Sequence, residues 1–196
     1  MEFKIEKTEV YGINKSVIAS GNAMRVEMED NTRDTLTTKD VIRAEKLGTT
    51  KSGEGHDNFL NGIIVQFDLY APLYMWKQIQ RYHWMDFISS QSTMHRLTKF
   101  DIKTQCVSDV DELILERYQE LLDYYNEGHH ETWRKLVASL PSGFVLGATM
   151  TTNYRQLKTI YHQRKNHKLS EWHEFCEWCE NLPLFKELCL GLKSYV

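Results

Sequence analysis

Two stretches of this chain gather groups capable of chemistry inside segments that otherwise look like core. The first joins Gly55-His56-Asp57-Asn58 to Gln78, Arg81, His83 and the run Ser89-Ser-Gln-Ser-Thr-Met-His-Arg96. Between Ser89 and Arg96 nearly every position carries a hydroxyl, amide or imidazole, and Met94 is the sole aliphatic-type side chain. Such a run suits a loop that wraps a polar ligand with hydroxyls and backbone N–H groups; a Ser/Thr-rich turn that spends them on capping is the competing reading. The second stretch is Asn153-Tyr-Arg-Gln-Leu-Lys-Thr-Ile-Tyr-His-Gln-Arg164. On a helix, Asn153 and Arg164 fall within about 20° of one another and about 16 Å apart along the axis, so one face offers an amide and an arginine to a long ligand. Leu157, Ile160 and Tyr161 then pack on the opposite side. An arginine fork suits a phosphate or a pyrimidine carbonyl because it donates two bonds at once. The alternative is that Arg155, Lys158, Arg164, Lys165 and Lys168 form the solvated face of an amphipathic helix.

Other constellations are weaker. Cys176-Glu-Trp-Cys179 has metal-ligand spacing and His173 lies one turn earlier, but no second close pair accompanies them, so buried thiols are expected and no metal. The glycine-rich run Gly48 to Gly55 lacks the Walker pattern and reads as a mobile loop. The histidines fall into no Ser/His/Asp order that one sequence can single out. Residues alone therefore point to a polar, anionic-ligand site built from 55–96 and 153–164.

The elements that must position these groups follow from pattern. Residues 2–11 alternate as a strand, and Lys15 to Met24 reads as a short helix broken at Gly21. A helix is expected at 38–47 and a β-branched, aromatic strand at 62–70. Pro72 occupies the first turn of a helix running to about His83. Asp111 opens a long helix to Gly128 with Ile114, Tyr118, Leu121, Leu122 and Tyr125 at helical spacing, and a second covers 130–139. Phe144 to Met150 is extended, helices follow at 152–165 and, capped by Ser170, to Leu182, and Pro183 stops the last. Strands come first and helices mostly after, which defines an α+β fold with a small antiparallel or mixed sheet.

The chain has 196 residues, 41% of them hydrophobic, which suits one domain spanning 1–196. With 24 Lys plus Arg against 27 Asp plus Glu, the net charge of -3 excludes nucleic-acid binding by bulk charge. No apolar run approaches a membrane span or a signal peptide, so a cytoplasmic location with reduced thiols is expected.

Gly55-His56-Asp57-Asn58-Phe59, the strand to Tyr70 and Ala71-Pro72-Leu-Tyr-Met-Trp-Lys77-Gln78-Ile-Gln-Arg81-Tyr82-His83 together resemble the flavin-dependent thymidylate synthases. That family's signature is Arg-His-Arg, seven residues, Ser; here it reads Arg81-Tyr82-His83, eight residues, Ser92. Leu140-Pro141, Asn153-Tyr-Arg155-Gln-Leu157, Arg164 and Glu171-Trp172 resemble the downstream motifs in order. The resemblance implies a thymidylate synthase-complementing-protein-like fold and a homotetramer with sites shared between subunits. It implies an enzyme that moves a one-carbon unit from methylenetetrahydrofolate to a pyrimidine deoxynucleotide such as dUMP, with FAD, reduced by NADPH, as hydride carrier. Carried over by motif, His56, Asn58, Arg81, His83 and Asn153 lie near FAD, and Thr159 stands where the family has an Asn beneath the flavin. Gln78, Ser92 and Arg164 lie near the nucleotide and are the catalytic candidates. Met94 and Val137 stand where the family has phosphate-binding arginines, with Arg96 and Arg134 as nearby substitutes. The altered signature also suits a catalytically inactive nucleotide-binding or interaction module on the same scaffold.

Overall fold

Alternation builds the sheet. In β2 (Ile64–Pro72) Val65, Phe67, Leu69 and Ala71 are buried while the intervening Ile64, Gln66, Asp68 and Tyr70 are half-exposed. A computed structural model describes residues 1–28, 34–51 and 53–192. Among these, β1 (Lys4–Tyr11), β2, β3 (Met85–Ser90) and β4 (Val145–Asn153) form a four-stranded antiparallel sheet in the order β1-β2-β4-β3. The helices are α1 (Ile13–Ala19), α2 (Thr38–Gly48), α3 (Leu73–Ile79), α4 (Thr93–Arg96), α5 (Ile102–Gln105), α6 (Glu112–Asn126), α7 (Trp133–Ala138), α8 (Tyr154–Arg164) and α9 (Ser170–Glu180). This is the expected α+β architecture. None of the described helices is long and apolar enough to cross a membrane.

The chain divides into two compact units. The first comprises Met1–Glu6, Asp68–His83 and Phe87–Met150. Its core packs Leu97, Ile102, Cys106, Tyr118, Leu122, Leu136 and Phe144. Asp111 caps α6 by accepting from the Leu113 N–H at 2.8 Å, and Tyr118 and Leu122 form the helix's buried stripe; Ile114, at matching spacing, is exposed. The Gln105 amide donates to the Val145 carbonyl at 2.6 Å, a buried bond that ties α5 to the start of β4.

The second unit comprises Lys7–Phe67, Trp84–Asp86 and Thr151–Val196. Here Thr37 and Asp40 form a reciprocal capping box at the start of α2. Trp172, Tyr154, Phe175 and Phe185 are fully buried, and the Tyr154 hydroxyl donates to the Pro183 carbonyl at 2.6 Å.

The structure departs from the sequence expectations at several points. The helix after Pro72 stops at Ile79, four residues before His83, because Arg81 and Tyr82 bond back to Gln78 and Ile79 three residues earlier and close the helix into a turn. Ser170 is the first helical residue of α9 and makes no side-chain cap; Leu169 holds the cap position. Ser89 and Ser90 end a strand rather than lie in a loop, and Thr93 begins the one-turn α4. A π-helical segment, Lys186–Leu190, follows α9 where no element is expected. Of the run 48–55 read as a mobile loop, Ser52 lies outside the described residues and the first residues are anchored, as described below.

Candidate functional site

In the first unit, the middle of the sheet leaves a cavity of 310 Å³. Asp68 and Tyr70 of β2, Ser89 and Ser90 of β3, Gln91, and Gly147 to Thr149 of β4 line it. Gln91 follows the last strand residue and continues the ladder with both its backbone and its side chain. Its N–H donates to the Gly147 carbonyl at 2.9 Å while its Oε1 accepts from the Gly147 N–H at 2.8 Å. Thr149 donates to Asp68 at 2.6 Å. Glycine leaves the Tyr70 ring its place, since a Cβ at 147 would lie 2.7 Å from that ring and 3.3 Å from Gln91 Oε1. A Lys4 ammonium sits 4.4 Å from the centroid of the same ring. A second cavity of the same volume shares Ser90, Gly147 and Ala148 and is more apolar, lined by Leu73, Trp76 and Phe87. Its indole is fixed by a bond from Trp76 Nε1 to the Leu146 carbonyl at 3.2 Å. An aromatic ring, a carboxylate and several hydroxyl and amide groups suit a neutral, polar, ring-bearing ligand better than an isolated anion.

The expected residues of this unit are Gln78, Arg81, His83, Ser92 and Arg96. Gln78 is half-buried on α3, and Arg81 and His83 are exposed in the turn that closes it. Ser92 caps α4, accepting from the His95 N–H at 3.2 Å and sharing a 2.9 Å bond with His95 Nδ1, so its hydroxyl is engaged locally. Arg96 is exposed at the last position of α4.

In the second unit, Asp57 organises the site. It is 1% exposed, between the exposed His56 and Asn58, and its two oxygens receive Arg155 Nε at 3.1 Å and Lys158 Nζ at 2.9 Å. Lys158, 4% exposed, also donates to the carbonyls of Gly48 at 2.7 Å and Thr50 at 2.8 Å. Arg155 and Lys158 thus do not belong to a solvated face. Helical spacing could not reveal this, because the acid they share lies about a hundred residues upstream. Only Nε of Arg155 is engaged among the described residues, which leaves its two terminal nitrogens as donors. Asn153 is the α8 N-cap and accepts from the Gln156 N–H at 2.9 Å. The Thr159 hydroxyl bonds back to the Arg155 carbonyl at 3.1 Å. Leu157 and Ile160 are buried as expected, and Tyr161 is half-buried with its hydroxyl 2.6 Å from Glu180. Arg164, at the far end of α8, lays its guanidinium 4.6 Å from the Trp172 ring centroid.

Burial, then the charges of Lys165 and Lys158, hold His162 below the usual imidazole range. Burial pushes the Cys176 thiol up to about 11. Among the described residues no three His, Cys, Asp or Glu side chains are grouped as metal ligands would be.

The four-stranded antiparallel sheet and its helices form an α+β fold of the kind seen in flavin-dependent thymidylate synthases. The flavin-dependent thymidylate synthase ThyX from Helicobacter pylori, complexed with FAD and dUMP, has the same fold at 14% identity. The alignment covers 97% of this chain and 100% of that one, with a TM-score of 0.74. A second structure of that enzyme with FAD and dUMP gives 0.75 at 14% identity over 97% and 98% of the two chains. The UMP/dUMP methylase PolB from Streptomyces cacaoi, bound with 5-Br dUMP, gives 0.71 at 14% identity over 97% and 96%. No protein-family model and no curated protein matches the chain by sequence.

Proposed function

We propose that this chain is a flavin-dependent enzyme of pyrimidine nucleotide methylation. It would transfer a one-carbon unit from methylenetetrahydrofolate to a pyrimidine deoxynucleotide such as dUMP. Bound FAD, reduced by NADPH, supplies the hydride. One coincidence carries the reading: a fold likeness along nearly the whole length of both chains accompanies His56-x-Asn58, Gln78, Arg81, Ser92, Asn153-x-Arg155 and Arg164, in order, in the same chain.

The residues of the second unit suit a flavin. His56, Asn58 and the terminal nitrogens of Arg155 offer donors on an exposed surface, a chemistry that fits a pyrophosphate and the polar edge of an isoalloxazine. Asn153, although buried, and Thr159 are assigned to the same cofactor by the family motif. Gln78 and Ser92 orient the nucleotide, and Arg96 meets its phosphate. Arg164 donates to a pyrimidine carbonyl, drawing electron density from the ring. The assembly is a homotetramer with sites shared between subunits.

A non-catalytic nucleotide-binding module is the second reading. It is favoured by the local engagement of Ser92 in capping α4 and by the exposed Met94 where the family has an arginine. One experiment separates the two. The enzyme is expected to show flavin absorbance and dUMP-dependent NADPH oxidation, with FAD at a hundredfold excess over Kd stabilising it by about 2.7 kcal/mol. Stabilisation by dUMP with no flavin bound would select the second reading, and stabilisation by neither would remove both.

A further inference from the structure

Lys158 raises a question that the flavin and nucleotide assignments leave unanswered. It is a buried ammonium in a helix whose cationic residues would ordinarily face water, and all three of its bonds reach other parts of the chain. Two acceptors, the Gly48 and Thr50 carbonyls, lie at the C-terminal end of α2, where a helix presents partial negative charge and unpaired C=O groups. The third is Oδ2 of Asp57, the residue between His56 and Asn58. The lysine therefore pins both ends of the segment that leads to those side chains, and through Asp57 it sets where Arg155 Nε must sit. The C-terminal end of α2 also packs closely on Leu188, whose carbonyl oxygen would lie 2.1 Å from a Cβ placed on Gly48. Apolar substitutes for buried ion pairs are often no less stable, so a buried lysine is more economically explained by the geometry it imposes than by stability.

We propose that Lys158 is a positioning residue of the flavin site. It fastens the Gly48–Thr50 and Asp57 segments so that His56, Asn58 and Arg155 are presented in one fixed arrangement. This inference rests on the flavin reading above. At metal sites, partners that orient the ligands from behind commonly change affinity by about 10- to 100-fold when removed, and a similar order is expected here.

The test compares wild type, Lys158→Met and Asp57→Asn by hydrogen exchange and by FAD titration. In Lys158→Met, the hydrogen-bonded amides of Thr49, Thr50 and Leu60 should exchange at least about tenfold faster while those of α9 stay protected, and FAD should bind at least about tenfold more weakly. Asp57→Asn keeps the two carbonyl bonds and should show a smaller change of the same kind. Unchanged exchange at those amides, unchanged FAD affinity, or a uniform rise in exchange throughout the second unit would overturn the proposal. Should Lys158→Met fail to fold, Asp57→Asn decides; should neither fold, Lys158 is structural only and the proposal falls. Wild-type protein that binds no FAD sinks the functional reading and takes this proposal with it, whereas wild type and variants that bind FAD equally well sink this proposal alone.

Discussion

Replacing Gly147 by alanine tests the sheet cavity directly. The new methyl carbon would lie 2.7 and 2.9 Å from two carbons of the Tyr70 ring and 3.3 Å from Gln91 Oε1. To regain an ordinary contact of about 3.5 Å the ring must retreat by about 0.8 Å. It meets the Lys4 ammonium over its face, but Tyr70 is only half-buried, so the strain falls at the lower end of the 1–3 kcal/mol, roughly, of overpacked sites. The backbone at 147 is outside the left-handed region, so alanine also restricts the unfolded chain, which returns about 0.4–1 kcal/mol. The net loss is about 0–1 kcal/mol, or a Tm lower by up to about 4 °C for a chain of this size. Thermal unfolding followed by circular dichroism should be run as a cycle with Tyr70→Ala. With the ring gone, Gly147→Ala should be neutral or slightly stabilising. An equal effect in both backgrounds would show that the ring does not occupy the space above Gly147.

Alkaline pH should destabilise the fold. Burial raises the Cys106 and Cys176 thiols to about 11, so between about 9 and 11 the unfolded chain has released protons that the native chain retains; urea midpoints should fall as pH rises through this window. Acid acts through His162 and His167, both held below the usual imidazole value chiefly by burial. Below about pH 6.5 the unfolded chain binds more protons than the native one, so stability should decline, and histidine titrations by NMR will check the direction. Asn153→Ala removes the α8 cap and should lower stability by about 1 kcal/mol even without any ligand, measurable by denaturant unfolding. Tyr154→Phe leaves the Pro183 carbonyl without its donor and should lower stability by about 1 kcal/mol in the same assay.

Periodic elements were legible because their own residues define them. The helix expected at 152–165 with Leu157 and Ile160 inward is observed over Tyr154–Arg164, while the capping role of Asn153 was not foreseen. β2 was visible from its β-branched and aromatic alternation. β3 was not, since its Phe87 and Ile88 are adjacent rather than alternating and this edge strand buries only Met85. The Asp57–Arg155–Lys158 cluster was equally hidden, because the acid and its cations come from distant segments and their charges alone look like surface residues. His56, Asn58 and Asn153 stood out as polar residues of the two stretches, but their assignment to a flavin came only through the family motif. Local spacing says that a helix has a polar end, not what that end holds.

All four cysteines are buried, with free thiols, and the two on α9 share that helix's core face with Trp172 and Phe175. Thiolate is the reactive form, and burial suppresses it. The native protein is therefore chemically quiet toward maleimides at neutral pH. A single cysteine introduced at an exposed position such as Arg96 or His56 would be the dominant point of attachment without removal of any natural thiol. A spectroscopic label placed in either compact unit could then report on that unit alone, and a pair of labels would measure the distance between the two.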